Sequence, residues 1–328
     1  MNADSFDLIG IDLGGTKLAA ARFRPGMERI HEHRVPVAGL DQDGLVAAIL
    51  DAIQTCRDAA DGQVGAVGLG LPTTIDRRTG MVVSACNLPL HELPIVELVE
   101  ERTDLACALD NDATAALVGE HALGRARGLE HVVMLTLGTG VGGGMLLDGR
   151  PYSGAIGGGS ELGHVSIAHD GLPCTSANCP NRGCLEAYCS GTALARNARE
   201  AARQHPDGAL GRAVAAGREP RGELVVELAL QGDGQCVALL EELGRYLGVG
   251  IASLTNIFNP EMVVVGGGLA EAAEQWILPA AREVVQARTL EPARSLVRIE
   301  PAELGNGAGL VGAAVLARGA LDASLARA

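Results

Sequence analysis

The sequence predicts a two-lobed α/β protein, and three observations carry that expectation. The chain has 328 residues, enough for two lobes that each bury a core. Apolar runs of strand length alternate with stretches of helical period along most of it. An apolar run that turns through a glycine-rich corner into a second apolar run occurs twice, at LIGIDLGGTKLAAARF and at HVVMLTLGTGVGGGMLL.

Residues 6–12, FDLIGID, form the first strand and end on an acid, with the turn LGGTK after it. LAAARF and ERIHEHRVPV read as two more strands joined through RPGM, whose Pro and Gly suit a turn. From Asp41 to Ala60, residues Leu45, Ile49, Ile53 and Cys56 recur at helical spacing. QVGAVGLGLP is a buried strand, DRRTG a turn, LPIVELVEERT a short helix, and LACALD a strand that runs straight into the helix NDATAALVGEHALG. After the second glycine corner, residues 185–258 are almost wholly helical in pattern, with breaks near His205–Gly208, Gly217–Gly222 and Gly232–Gly234. EMVVVGGGLA is a buried strand ending in three glycines, followed by a helix, the strand SLVRIEPA and a last helix from about Ala308. The expected lobes are residues 1–121 with 308–328, and residues 122–307 with a metal-binding loop at 164–186.

Composition excludes several classes. Twenty-six Lys and Arg against 40 Asp and Glu leave a net charge of −14, a poor basis for holding phosphate backbones by counterion release. Three Phe, three Tyr and one Trp are too few for a base-stacking platform, so nucleic acid is not an expected partner. The N-terminus, MNADSFDLIGID, lacks the basic and apolar regions of a secretory signal, and Gly, Asp, Glu or Arg interrupt every apolar run before the roughly 18 residues of a membrane span. A cytosolic protein without a membrane partner is expected. Of the eight cysteines, Cys56, Cys86, Cys107 and Cys236 lie in apolar stretches and read as core residues. Cys174, Cys179, Cys184 and Cys189 recur at intervals of five, and clustered thiols in a reducing compartment bind metal more often than they pair. A single residue of the 26 basic ones, Lys17, is lysine, and it falls inside the first glycine corner.

Both corners suit an anion. Gly14 and Gly15 let backbone amides approach a phosphate, Thr16 adds a hydroxyl, Lys17 a positive charge, and Asp12 at the strand end can hold a metal-bound water. Thr136, Gly138, Thr139 and Gly140 repeat the device, and Gly266, Gly267 and Gly268 offer a flat backbone surface for an adenine ring. Two such cradles on two lobes suit a nucleoside triphosphate held in a cleft. Gly138, Gly140 and Gly143 spell G-x-G-x-x-G, but MLLDGRPY follows in place of a helix, which rejects a dinucleotide fold.

DLGGTK, NDA, TLGTGVGGG, ELGH with a cysteine cluster ending in GCLE, NPEMVVVGGGL and LGNGAGLVGAA, in that order, resemble the ROK family of sugar kinases and sugar-responsive repressors. The resemblance runs from about Phe6 to about Ala317 and implies an actin/hexokinase-like (ribonuclease H-like) α/β fold with ATP in a cleft between the lobes. It implies Asp112 as catalytic base; an Asp at a helix start is otherwise an ordinary cap. It implies Asn87, Asn111, Asp112, Glu161, His164 and Glu186 as sugar-binding residues, and His164, Cys174, Cys179 and Cys184 as ligands of a structural Zn²⁺. Four residues separate Cys174 from Cys179 where the family has one, and Cys189 reads as a buried helical thiol. LPTTID stands where Pro-Gly is common, Leu90 where a Trp often follows, and Asn306 where an acid is frequent. The family's repressors carry a DNA-binding helix-turn-helix ahead of this strand; with about five residues there, the repressor branch is not expected.

The expectation is a cytosolic enzyme that phosphorylates a hexose with ATP and Mg²⁺, glucose to glucose 6-phosphate first, assembled as a homodimer or homotetramer. Fructose, mannose or an N-acetylhexosamine is the alternative acceptor, and polyphosphate the alternative donor. From other classes, a non-catalytic sugar-binding regulator and a zinc-dependent nucleic-acid binder are the rivals; the intact Asp112 and both corners weigh against the first, the net charge against the second.

Overall fold

The computed structural model of the chain describes residues 3–85 and 88–327, so Cys86 and Asn87 lie outside the described residues. The chain divides into two compact units, Met1–Gly128 with Arg150–Ser160 and Asn306–Ala328, and Leu129–Gly149 with Glu161–Gly305. Residues 122–128 and 150–160 thus go with the first unit. Past the helix end, the Arg125 amide bonds back to the Glu120 carboxylate at 2.8 Å, and the Arg77 amide donates to the Ile156 carbonyl at 2.9 Å.

The first unit is built on strands β1 (Asp7–Leu13), β2 (Lys17–Phe23), β3 (Arg29–Pro36), β4 (Val64–Leu71) and β8 (Ala106–Asn111), in the order β3-β2-β1-β4-β8. The first three form the antiparallel meander that the turns LGGTK and RPGM require, and β4 and β8 add in parallel. Alternation of side chains puts Ile9, Ile11 and Leu13 on one face, against Leu45, Ile49 and Ile53 of helix α1 (Gln42–Asp58) and Val99 of α2 (Ile95–Thr103). Leu8, Ala19 and Ala21 face the other way, against Leu310, Ala314 and Ala317 of the C-terminal helix (Ala308–Leu325). That helix approaches at backbone contact: a Cβ at Gly68 of β4 would lie 1.8 Å from the Ala313 carbonyl oxygen, and one at Gly312 would lie 1.6 Å from the Ala115 carbonyl oxygen of helix α3 (Asp112–Leu123). The stretch Gly305–Leu325 is long and apolar enough to cross a membrane by composition. Its buried Leu310, Ala313, Ala314 and Ala317 are core of this unit.

A small sheet of β5 (Thr73–Asp76), β6 (Met81–Ala85) and β7 (His91–Leu93) flanks the DRRTG turn. Sequence patterning shows the turn and misses the strands, because three to five residues of mixed polarity are too few to display a period.

The second unit carries β9 (Val132–Leu137) and β10 (Val141–Leu147), with strands Met262–Gly266 and Arg298–Pro301 added in parallel beside β9. Gly142, Gly143 and Gly144 are strand residues, registered on Thr136, Leu135 and Met134, so the corner itself shrinks to Gly138–Gly140. Helices α4 (Glu186–Cys189), α5 (Gly191–Gln204), α6 (Ala209–Ala215), α7 (Gly222–Leu230), α8 (Gly234–Phe258) and α9 (Gly268–Arg288) follow, broken where the sequence places breaks. Their apolar faces, including Leu194, Leu224, Leu247, Ile251 and Ile277, close over Val133, Leu135, Val263 and Val265.

One buried ion stabilises the first unit. Arg22 on β2 is 0% exposed; its Nε donates to Asp7 Oδ2 at 2.8 Å, and its terminal nitrogens donate to the carbonyls of Arg57, Ala60 and Gly62 at 2.7, 2.6 and 3.0 Å. It therefore satisfies carbonyls that the end of α1 leaves without helical partners. Removing it strands both these carbonyls and the Asp7 carboxylate, so Arg22→Ala should destabilise the protein by about 3–5 kcal/mol. Urea unfolding monitored by circular dichroism measures this, and a loss below about 1 kcal/mol would contradict the role.

Candidate active site

In the first unit, three chain segments converge on two carboxylates. The first glycine corner closes as a tight turn, with the Gly14 amide donating to the Lys17 carbonyl at 2.9 Å, and leaves Gly15, Thr16 and Lys17 exposed. Asp12, at the end of β1, is partly buried, and the first turn of the C-terminal helix lies on it: a Cβ at Gly309 would be 2.7 Å from its Cγ. Burial, and then the neighbouring Asp112, push the Asp12 carboxyl up to about 6, against the opposing pull of Lys17 and Arg34.

Asp112 is the first residue of α3, entered directly from β8. The capping role falls to Asn111, whose side-chain oxygen accepts from the amides of Ala113 and Thr114 at 3.0 and 3.4 Å. Asp112 Oδ1 accepts from the Ala113 amide at 2.8 Å. Asp110, 4% exposed, anchors the corner through an ion pair with Arg77 and a bond from the Asn111 amide at 2.8 Å. Burial raises its carboxyl and Arg77 opposes that. Neither Arg77 nor Asp110 stands out as a functional position in the sequence, because their pairing joins a hairpin turn to a strand 33 residues on.

In the second unit, Gly138 and Thr139 open into a cavity of about 530 Å³. Gly268 and Leu269 at the start of α9 form another part of its wall, beside Ala195 of α5 and Val226 of α7. Gly267 adopts a φ of 88°, the left-handed conformation that favours glycine. Arg199, Arg221 and Glu223 also line the cavity. The sequence marks the glycines and misses these three. Thr192, Ala195 and Arg199 do share one helix face by spacing, but that signal means nothing until α5 is seen beside the loop.

Glu161, His164 and Glu186 come together with the cysteines. The four ligand atoms of His164, Cys174, Cys179 and Cys184 lie within 4.8 Å of one another, despite the long Cys174–Cys179 segment. Cys179 and Cys184 sulfurs are 3.8 Å apart, and Cys174 Sγ is 3.5 Å from His164 Nδ1. A tetrahedral zinc with ordinary bond lengths needs edges of roughly 3.8 and 3.6 Å, so the donor set fits that ion. Cys189 is fully buried, with its sulfur on the Leu243 carbonyl, and stands outside the cluster. His164 Nε2 is 3.9 Å from Glu161 Oε2. Glu161 keeps 53% of its side chain exposed. Desolvation raises its carboxyl, with Glu186 adding and His164 opposing. Glu186 is 7% exposed, and its Oε2 accepts from the Val141 amide at 3.0 Å.

The sequence profile of the ROK family matches residues 8–320. The chain belongs to the ROK family. The glucokinase of Streptomyces coelicolor is 35% identical over 315 residues, 94% of this chain and 97% of that one. The crystal structure of a ROK family glucokinase from Streptomyces griseus in complex with glucose and AMPPNP matches with a TM-score of 0.84 at 34% identity, over 95% of this chain and 99% of that one. That of the ROK hexokinase from Thermus thermophilus matches with a TM-score of 0.77 at 34% identity, over 98% of this chain and 100% of that one. The fold is the actin/hexokinase-like α/β fold that the ROK motifs imply.

Two predictions follow from this geometry. Because the folded-state value of Asp12 lies above the ordinary one, its ionisation opposes folding above pH about 6, and the penalty fades as pH falls toward 4. Asp12→Asn should therefore raise stability by about 1–3 kcal/mol at pH 7.5 without Mg²⁺, with the gain vanishing below pH about 4. Thermal unfolding across that range checks it; a destabilised variant at pH 7.5 would contradict it. The cysteine cluster should hold about one equivalent of zinc in protein purified without chelator, and metal analysis returning less than about half would count against the site.

Proposed function

We propose that this protein is an ATP-dependent hexokinase that phosphorylates glucose to glucose 6-phosphate. The observation that carries the reading is the convergence of Asp12 and Asp112 at the corners of β1 and α3, close enough for one to raise the other's carboxyl. The ROK relatives named glucokinase, one of them solved with glucose and AMPPNP, support the donor and the acceptor.

In this reading Asp112 accepts the proton of the acceptor hydroxyl as that oxygen attacks the γ-phosphorus. A bond forms between sugar oxygen and phosphorus, the bond to the β–γ bridging oxygen breaks, ADP leaves, and the proton passes from Asp112 to solvent. Asp12 is suited to hold Mg²⁺ or its water, since a carboxylate raised by burial and a second acid is relieved by a cation. When bound, Mg²⁺ supplies neutralisation of phosphate charge. Gly14, Gly15, Thr16 and Lys17 in the first unit, and Thr136, Gly138, Thr139 and Gly140 in the second, are each suited to phosphate oxygens of the donor. The cavity beside Gly266–Gly268 takes the nucleoside between Leu269, Val226 and Ala195, with Arg199 and Arg221 offering positive charge. An apolar slot of this size suits a nucleoside, which polyphosphate lacks. Asn111, Glu161, His164 and Glu186 read sugar hydroxyls, with Asn87 as a further candidate. A zinc held by His164 with Cys174, Cys179 and Cys184 would fix the imidazole ring, and its Nε2 lies 3.9 Å from Glu161 Oε2. An ATP-consuming enzyme with free thiols belongs in the cytoplasm, and assembly as a homodimer or homotetramer belongs to the same proposal.

Thr73 favours a second acceptor. It is 4% exposed, its hydroxyl has no partner among the described residues, and its carbonyl accepts from Asn111 Nδ2 at 3.5 Å. A polar group there, in place of the family's common glycine, can read an additional substituent on a hexose other than glucose.

Asp112→Asn should keep sugar affinity and lower kcat by about a hundredfold to ten-thousandfold, measured by coupled ADP release; near-normal turnover would remove Asp112 from the role. Glucose with ATP should give the highest kcat/KM in a panel of glucose, fructose, mannose, N-acetylglucosamine and N-acetylmannosamine run with ATP and polyphosphate. Sugar-dependent thermal stabilisation with no ADP formed would make the protein a regulator.

A further inference from the structure

The segment between Cys174 and Cys179 is longer than the ROK pattern by three residues, and its first residue, Thr175, carries a hydroxyl that reaches the buried Glu186. Thr175 Oγ donates to Glu186 Oε1 at 2.8 Å. The other carboxylate oxygen, Oε2, accepts from the Val141 amide at 3.0 Å, immediately after the Gly138–Gly140 corner. A Cβ at Gly140 would lie 2.5 Å from Oε2, so the carboxylate sits against the backbone of the corner itself. The far side of the corner is held by the start of α5: the Gly191 amide donates to the Gly138 carbonyl at 2.8 Å and the Thr192 hydroxyl to the Thr139 carbonyl at 2.9 Å.

Glu186 is thus the strut between the cysteine loop and the donor corner. A carboxylate that is 7% exposed keeps one orientation only while donors hold both of its oxygens. We propose that Thr175 is a positioning residue: it sets the Glu186 carboxylate and, through the Val141 amide, the shape of the corner that receives the phosphates of the donor. This rests on the reading of that corner as a donor site.

Thr175→Val keeps the shape of the side chain and removes the hydroxyl, and Thr175→Ser restores the hydroxyl. Calorimetric binding of Mg²⁺·AMP-PNP in the absence of sugar should weaken about tenfold in Thr175→Val and match wild type in Thr175→Ser. KM for ATP should rise with it while kcat changes less than twofold to threefold. Zinc content and thermal stability of the Val variant should stay at wild-type values. Unchanged nucleotide affinity in Thr175→Val would overturn the role, as would a loss of affinity accompanied by loss of zinc, which marks a collapsed loop. Failure of the wild-type protein to bind the nucleotide would overturn the donor-site reading and the brace together.

Discussion

The packing of the C-terminal helix on bare backbone is the constraint from which the first-unit site follows. Gly68 and Gly312 leave no room for a Cβ, so helix, sheet and α3 meet at one separation. At that separation Gly309 rests on the Asp12 carboxylate, and residues 12, 112 and 309, distant in the chain, occupy one corner. The helix terminus offers its partial positive charge there, worth about 0.3–1 kcal/mol. Burial and Asp112 outweigh it, since the rise of Asp12 to about 6 corresponds to roughly 3 kcal/mol. The corner therefore favours a cation, which is the chemistry that a nucleotide-dependent kinase asks of it.

The second unit solves a different electrostatic problem. With a net charge of −14, the chain as a whole repels a polyanionic donor. Arg199 and Arg221, with Glu223 beside them, give the cavity wall of the second unit local positive charge. The buried Glu186 carboxylate has its charge directed at an amide and a hydroxyl of the protein.

Legibility differed by kind of interaction. Strands β1 to β4, the Asn111–Leu123 corner and the breaks between the helices were readable because each rests on a local period or on a turn residue. The cysteine ligands were readable too, since they lie close in sequence; that Cys174 still joins Cys179 and Cys184 across the longer segment was a matter for the fold. The strands β5 to β7 were not readable, being too short to repeat. Arg77 with Asp110, and Arg199 with Gly138, were not readable either, because each pairing joins elements whose separation in sequence carries no pattern.

By itself the sequence determined most of the longer elements, which family the chain belongs to and which residue types can do phosphoryl-transfer chemistry. These depend on local periodicity, on glycine where a turn needs it, and on motifs in a given order. The tertiary structure decided which groups share a site: Asp12 with Asp112, Asn111 as the cap that spares Asp112 that task, and Glu186 joined to Thr175 and Val141. Burial and distance set those relations, and both are properties of packing between segments remote in the chain.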